Sequence, residues 1–328
     1  MIETARKSIA AAAALTLFAS CAVVVAQAQS VYPTRAVEVI VPYPPGGVTD
    51  IIARTLSHEL QFTTGQPFVV ENKPGATGIL AANIVKHAAA DGYTLMMGSA
   101  SQMTVLPALK ANLPFNPEKD FTPLSLVGTT PYVLLVNAAL PAKTIPELIA
   151  LLHSNPGKFN FSTSGVGSMP HLLGEMFKQM AKVDMIHIPY QGNSPATVAV
   201  AAGEAQITFD TVISARPFIS AGKIRALGVA AEKPIAALSD VPTIASVLPG
   251  FRGESWLCLY APAATPAAVT DRLRDIIRQA IVSGNFAKSA ATGGFDVPDL
   301  SRPQVDAFLK IDADRWRDVA HTAHIALE

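Results

Sequence analysis

Between residues 37 and 110 apolar positions fall into two alternating patterns, short unbroken runs and longer stretches with helical spacing. The runs at 37–41, 67–71 and 94–98 predict strands, and the stretches at 48–60, 78–89 and 102–110 predict helices. Strands that are apolar throughout and separated by helices imply a parallel sheet covered on both faces. Ligands in such sheets bind beyond the carboxyl ends of the strands. Three loops fall at that edge, 43–49, 73–78 and 99–101, all small, rich in Gly or Ser and almost uncharged.

Two further extended runs, 124–127 and 132–136, flank Gly128-Thr129-Thr130-Pro131. A break of this kind between extended runs predicts a crossing into a second domain. Thr144-Ile145-Pro146-Glu147 has capping-box spacing ahead of a helix to about residue 153. A second strand-loop-helix unit follows, with a strand at 159–162, the loop Thr163-Ser164-Gly165-Val166-Gly167-Ser168, and a helix carrying Leu172, Leu173, Met176 and Phe177. Strands are predicted at 185–190, 206–210 and 224–230, with a small-residue helix before the second of them. Residues 256–261 are extended and return the chain to the first domain, and amphipathic helices at 266–283 and 303–320, with Pro near the first turn, close the molecule.

Composition adds an address. Arg6 and Lys7 precede an apolar run over 9–26 that closes on Ala26-Gln27-Ala28, the order of a secretory signal peptide cut after Ala28. Phe18-Ala19-Ser20-Cys21 loosely resembles an acylation site, but apolar Val23-Val24-Val25 stands where a polar tether is expected. Removing 28 of 328 residues leaves 300, enough for two domains of ordinary size. Cys258 is then the single thiol, so no intrachain disulfide forms, and its setting in Trp256-Leu257-Cys258-Leu259-Tyr260 is that of a buried apolar residue. With net charge zero and 15% charged residues there is no basic patch for nucleic acid. No later apolar stretch approaches the ~20 residues that span a bilayer. A soluble, monomeric periplasmic protein is expected.

Candidate chemistry centres on the loop after the first strand. Gly46 and Gly47 let a ligand approach the backbone, and Thr49 or Asp50 could cap the helix, leaving first-turn N–H groups for a carboxylate or phosphate. A plain βα turn is the alternative. Asp210 ends a strand, where it either points into the cleft or caps the next helix. His58, His87, His153, His171 and His187 are scattered and His321 and His324 lie in the last turns, so neither a metal site nor a cofactor is expected. No Gly-x-Ser-x-Gly elbow occurs, and Ser168 and His171 share a helix face without a third group to orient the imidazole. The dinucleotide fingerprint fails because Pro170 stands where its third glycine belongs. A cleft of backbone donors and hydroxyls suits binding better than reaction.

Several motifs together resemble one family. Tyr32-Pro33, Pro42-Tyr43-Pro44-Pro45-Gly46-Gly47-Val48-Thr49-Asp50, Glu71-Asn72-Lys73-Pro74-Gly75-Ala76 and Asp91-Gly92-Tyr93-Thr94-Leu95 occur in order in the first part of the chain. Ser164-Gly165-Val166-Gly167-Ser168 with His171-Leu172 and Glu175, Pro189-Tyr190-Gln191-Gly192 and Asp240-Val241-Pro242-Thr243 continue the series. With the leader, this is similar to the Bug family, the periplasmic substrate-binding proteins of tripartite tricarboxylate transporters.

The resemblance implies a two-domain α/β "Venus flytrap", each domain a mostly parallel sheet flanked by helices. Residues 29–130 plus 256–328 would form the first domain and 131–255 an inserted second. It implies no enzyme activity, a small organic carboxylate (a dicarboxylate, amino acid or aromatic acid) in the cleft, and integral-membrane transporter subunits as partners. Carried over by position, the first-domain contacts are Tyr43, Gly46, Gly47, Thr49, Ala76 and Ser99, and the second-domain contacts Thr163, Ser164, Gly167, Ser168 and His171. Asp210 stands near where some members meet an amino group. Tyr43, Tyr190 and Phe209 could instead line an aromatic-acid pocket, and no Arg or Lys is committed to the cleft. The chain departs from the family at Thr77, where a second glycine is common, at 198–200, which lacks a frequent acid, and at Ser246, which replaces a frequent glutamate. Rival readings are a receptor that presents its ligand to a signalling partner, an exported hydrolase using Ser168 and His171, and a structural envelope protein.

Overall fold

The computed structural model describes residues 32–322, without the side chains of 321 and 322. The leader, its cleavage site and His324 lie outside the described residues. The first part of the chain forms β1 (Val37–Val41), α1 (Val48–Thr64), β2 (Phe68–Asn72), α2 (Ile79–Lys86), β3 (Thr94–Ser99), α3 (Leu106–Leu109), α4 (Pro117–Asp120) and β4 (Phe121–Asn137). Then come α5 (Ile145–His153), β5 (Asn160–Thr163), α6 (Met169–Ala181), β6 (Ile186–Pro189), α7 (Asn193–Ala202), β7 (Ile207–Thr211), α8 (Val212–Ser220) and β8 (Ile224–Val229). The chain ends with β9 (Glu254–Pro262), α9 (Ala267–Ile281), α10 (Gly284–Thr292) and α11 (Arg302–Thr322).

The strands run β2-β1-β3-β9-β4-β7-β5-β6, with β8 also on β4. β1 is parallel to β2 and β3, and β5 to β6 and β7, as the alternation of strands and helices requires. Every antiparallel pair involves β4 or β9. The first eleven residues of β4, from Phe121 to Pro131, lie against β9, and Tyr132 to Asn137 lie against β7 and β8. One strand thus belongs to both halves of the sheet.

The expected break at 128–131 is absent; β4 is a single strand of 17 residues. Its apparent breakers are accommodated. Register shifts fall between Pro123 and Ser125 and between Leu126 and Gly128, where bulges absorb residues that do not fit the ladder. Gly128 is required by crowding, since a Cβ there would sit 2.3 Å from the Phe295 ring. Pro131 stands opposite Glu254, at the point where β4 leaves β9, so its missing N–H is not needed.

Three helical segments differ from the pattern. The stretch from 102 opens with a buried π-helical turn over Ser101–Val105 before α3. α8, which holds Pro217, and α10 were not distinguished by their periodicity. A contiguous core links Ile40 and Met96 through Tyr132 and Leu134 to Phe161, Phe177 and Phe209. Cys258 is fully buried in β9, and burial pushes its thiol up to about 12, out of nucleophile range. No helix among the described residues is long and apolar enough to cross a membrane.

Candidate functional site

The loop after β1 is braced from within. Gly46, at φ 87°, donates its N–H to Asp50 Oδ2 at 3.0 Å, and Asp50 also accepts from Arg54 Nε and Asn72 Nδ2, each at 2.9 Å. Burial disfavours the Asp50 carboxylate, but these partners outweigh it and hold its pKa below the usual range. Neither Thr49 nor Asp50 caps the helix as expected. Gly47 is the N-cap, with extended backbone and no side-chain cap, and the two polar residues lie buried inside the first turn. The uncapped start of α1 keeps its positive end for an outside acceptor.

Tyr43 and Ser99 share a hydrogen bond of 3.0 Å between their hydroxyls, and the Tyr43 carbonyl accepts from Asn72 Nδ2 at 2.9 Å. Burial raises the phenol to about 12, so it is a neutral donor at pH 7. In the next loop Ala76 and Thr77 adopt left-handed backbone, φ 46° and 54°. Gln102 in the π-helical turn holds this loop, its Nε2 donating to the Gly78 carbonyl at 2.7 Å. Left-handed backbone at two non-glycine residues is strained, and packing from both sides maintains it.

In the second half the loop after β5 is set by the start of α6. Ser168 is the N-cap, accepting from the His171 N–H at 3.4 Å, while its own proton goes to the Gly165 carbonyl at 2.6 Å. The imidazole does not take that proton. His171 Nδ1 instead accepts from the Gly167 N–H at 3.3 Å, and its ring stacks on His187 with centroids 4.2 Å apart. His187 stacks in turn on Phe161 and meets the Thr163 hydroxyl at 2.7 Å through Nε2. Burial lowers both imidazole pKa values, His187 to about 4, so the pair is neutral at pH 7. This arrangement gives Ser168 no general base.

Asp210 is fully buried, with its carboxylate engaged by α7 and by the start of α8. Its Oδ1 accepts from Asn193 Nδ2 at 2.6 Å and the Thr211 N–H at 2.7 Å, and its Oδ2 accepts from the Thr197 hydroxyl at 2.6 Å. The carboxylate therefore anchors α7. Burial raises its pKa against these bonds. Phe209, on the other face of β7, is packed on Phe251 at 5.9 Å in the core, away from any aromatic-acid pocket.

The two halves meet at these loops. Thr77 Oγ1 donates to the Val166 carbonyl at 2.8 Å, and the Met169 N–H of α6 donates to Ser101 Oγ at 3.0 Å. Between them lies a cavity of about 450 Å³ with walls from both halves. Of the sequence-expected residues Tyr43, Ala76 and Ser164 line it, and Ser99, Thr163, Gly167, Ser168 and His171 support the lining from behind. Gly46, Gly47, Thr49 and Asp210 are not among its lining residues. Tyr190, which the sequence offered for an aromatic-acid pocket, and Thr77, which it marked as a departure from the family, also line the cavity, whereas Gln191 was singled out only within its motif and Lys110 not as a site residue. A second cavity of about 480 Å³, lined by Met103, Tyr260, Leu309 and Lys310, lies against α11 and is reached by none of the expected residues.

A model of the tripartite tricarboxylate transporter family receptor matches residues 52–324. The chain belongs to this family. Protein BugT of Bordetella pertussis is 33% identical over 294 residues, which cover 88% of this chain and 89% of BugT. An R. palustris protein solved with adipate superposes with a TM-score of 0.87 at 32% identity, covering 90% of this chain and 99% of that one. MatC from Rhodopseudomonas palustris with bound malate superposes with a TM-score of 0.83 at 33% identity, covering 88% and 99%. Family and fold are those of periplasmic solute-binding proteins with two domains, not of an enzyme.

Proposed function

We propose that the protein is a periplasmic receptor, cut after Ala28 and monomeric, that closes on a small organic carboxylate and delivers it to the membrane subunits of a tripartite tricarboxylate-type transporter. Residues 29–130 with 256–328 would move against 131–255 about β4, the strand shared between the halves. The observation that carries this reading is the cavity whose walls come from both halves beneath the Thr77–Val166 and Ser101–Met169 hydrogen bonds. The lining is largely apolar, and the hydroxyls and loop backbone among it can bind a carboxylate through charge-assisted hydrogen bonds of roughly 1.5–3 kcal/mol each. The adipate and malate held by the two relatives favour a dicarboxylate within this class.

The test is a thermal-shift screen of mature protein that has been unfolded and refolded to strip bound solute. Mono- and dicarboxylates, amino acids, aromatic acids and neutral sugars form the panel. A ligand at a hundredfold excess over its Kd adds about 2.7 kcal/mol, so a carboxylate should raise Tm by several degrees and the sugars should not. A panel in which no carboxylate shifts Tm overturns the proposal. Delivery is tested by deletion: loss of uptake supports it, whereas loss of induction of ligand-responsive genes alone favours the sensory role.

A further inference from the structure

The second cavity, of about 480 Å³, has the volume of a small-molecule site and shares a wall with the cavity between the halves. Within α3, Leu106 lines the cavity between the halves, while Pro107 and Ala108 line the second one. The π-helical turn before α3 is divided in the same way. Ser101 accepts from the Met169 N–H across the halves and Gln102 holds the Gly78 carbonyl, whereas Met103 and Thr104 line the second cavity. The Thr104 hydroxyl donates to Asp312 Oδ2 at 2.7 Å, and Asp312 also accepts from the indoles of Trp256 and Trp316, so the turn is tied to α11 and β9. Floor and rim of this cavity differ in chemistry. Buried Met103, Phe121 and Tyr260 form an apolar floor, with the two rings 6.3 Å apart. On the rim, Lys310 and Arg317 are both committed to Asp314, at 3.0 and 2.7 Å. Glu118 of α4 has no ion-pair partner among the described residues, and Asp306 of α11 comes only within 3.8 Å of Arg302. The charge left unanswered at the rim is therefore negative.

We propose that the second cavity is an effector site for a small primary amine with an aromatic or branched apolar body, and that its occupancy tightens carboxylate binding between the halves. The apolar body lies on Met103, Phe121 and Tyr260, and the ammonium faces Glu118 at the rim. An occupant packed against Met103 and Ala108 resists displacement of the turn and of α3 from the positions in which Ser101 and Gln102 make their bonds to the cleft. The coupling, though not the amine site itself, rests on the receptor reading. By linkage, a carboxylate in the cleft raises the affinity for the amine by the same factor.

The test is calorimetry at low ionic strength with 2-phenylethylammonium, its neutral analogue 2-phenylethanol, and adipate and malate as probes of the cleft. Wild-type protein should bind the ammonium more tightly than the alcohol, and Glu118→Gln, at an exposed position, should weaken the ammonium by about three- to fivefold and leave the alcohol unchanged. Ala313→Phe, which fills the cavity, should weaken both by more than about tenfold. Saturating 2-phenylethylammonium should tighten adipate or malate by about fivefold or more in wild type and not in Ala313→Phe. No binding of the ammonium, its displacement by adipate or malate, or coupling that persists in Ala313→Phe overturns the inference and leaves the receptor reading standing. Failure of adipate and malate to bind, together with a thermal-shift panel in which no carboxylate raises Tm, overturns the receptor reading and the coupling together.

Discussion

Ser168 and Asp210 have the residue types of catalytic or ligand-contacting groups, yet each is consumed by local structure. The Ser168 hydroxyl donates to the Gly165 carbonyl and accepts from the His171 N–H, which makes it the cap of α6. Ser168→Ala should cost about 0.5–2 kcal/mol in urea unfolding, the usual range for a lost N-cap. It should bind ligand more weakly while leaving any trace of ester hydrolysis in the preparation unchanged; hydrolysis abolished by this change would revive the hydrolase reading. Asp210 accepts three hydrogen bonds in a fully buried position. Asp210→Asn turns one acceptor into a donor that faces donors, and should destabilise the protein by about 1–3 kcal/mol. The ranking of amino acids against dicarboxylates should not change, and a gain for dicarboxylates alone would show that the carboxylate does reach the ligand.

At the scale of elements, the loops are held by what packs behind them. β6 presents His187 to α6, where it lies between Phe161 and His171, with Lys178 and Glu175 of α6 close enough to influence the pair and Thr163 bonded to its Nε2. Its pKa in the fold is about 4 against 6.5 when free, so the unfolded chain binds more protons between these values. Stability from the neutral stack is complete above pH 6.5 and is lost as pH falls toward 4. Melting curves at pH 7.5 and 4.5 should show a larger drop in Tm for wild type than for His187→Phe, which keeps the stack and removes the titrating ring. An identical drop in both proteins would place the acid sensitivity elsewhere. The Thr77–Val166 bond tests the other wall. Thr77→Val removes a contact worth about 0.5–1.5 kcal/mol, so ligand dissociation in stopped flow should speed up about two- to tenfold while association is little changed.

For the whole molecule, the decisive feature is that β4 serves both halves. A continuous strand provides a stiff but bendable connection, and the bulges beside Pro123 and Gly128 mark its irregular stretch. Close approach of the halves depends on Gly192, whose backbone has φ 131° and where an added Cβ would stand 2.6 Å from Pro44 Cδ. Gly192→Ala should hinder closure and weaken ligand binding by about tenfold or more, with a larger radius of gyration in ligand-saturated solution scattering. Wild-type affinity in this variant would show that the two loops part without loss to the site.

The parallel units β1-α1-β2 and β5-α6-β6 were legible because their apolar runs and helical periods are strong local signals, and their loops were legible because Gly, Pro, Ser and Thr cluster there. The family was legible for the same reason, in motifs that lie on those loops. Tertiary structure decided what periodicity does not encode. It made one strand of Phe121–Asn137, because partners on both sides satisfy a backbone that looks broken in isolation. It turned Asp210 from the cleft to α7, because the fate of a carboxylate at a strand end depends on which donors another helix brings within reach. It also placed Lys110 in the cavity lining, since a lysine after a short helix has no sequence signature until the opposite half arrives to make a wall. Local sequence sets the conformations that neighbouring residues impose on one another, whereas the charge and shape of this cleft arise only when distant segments meet.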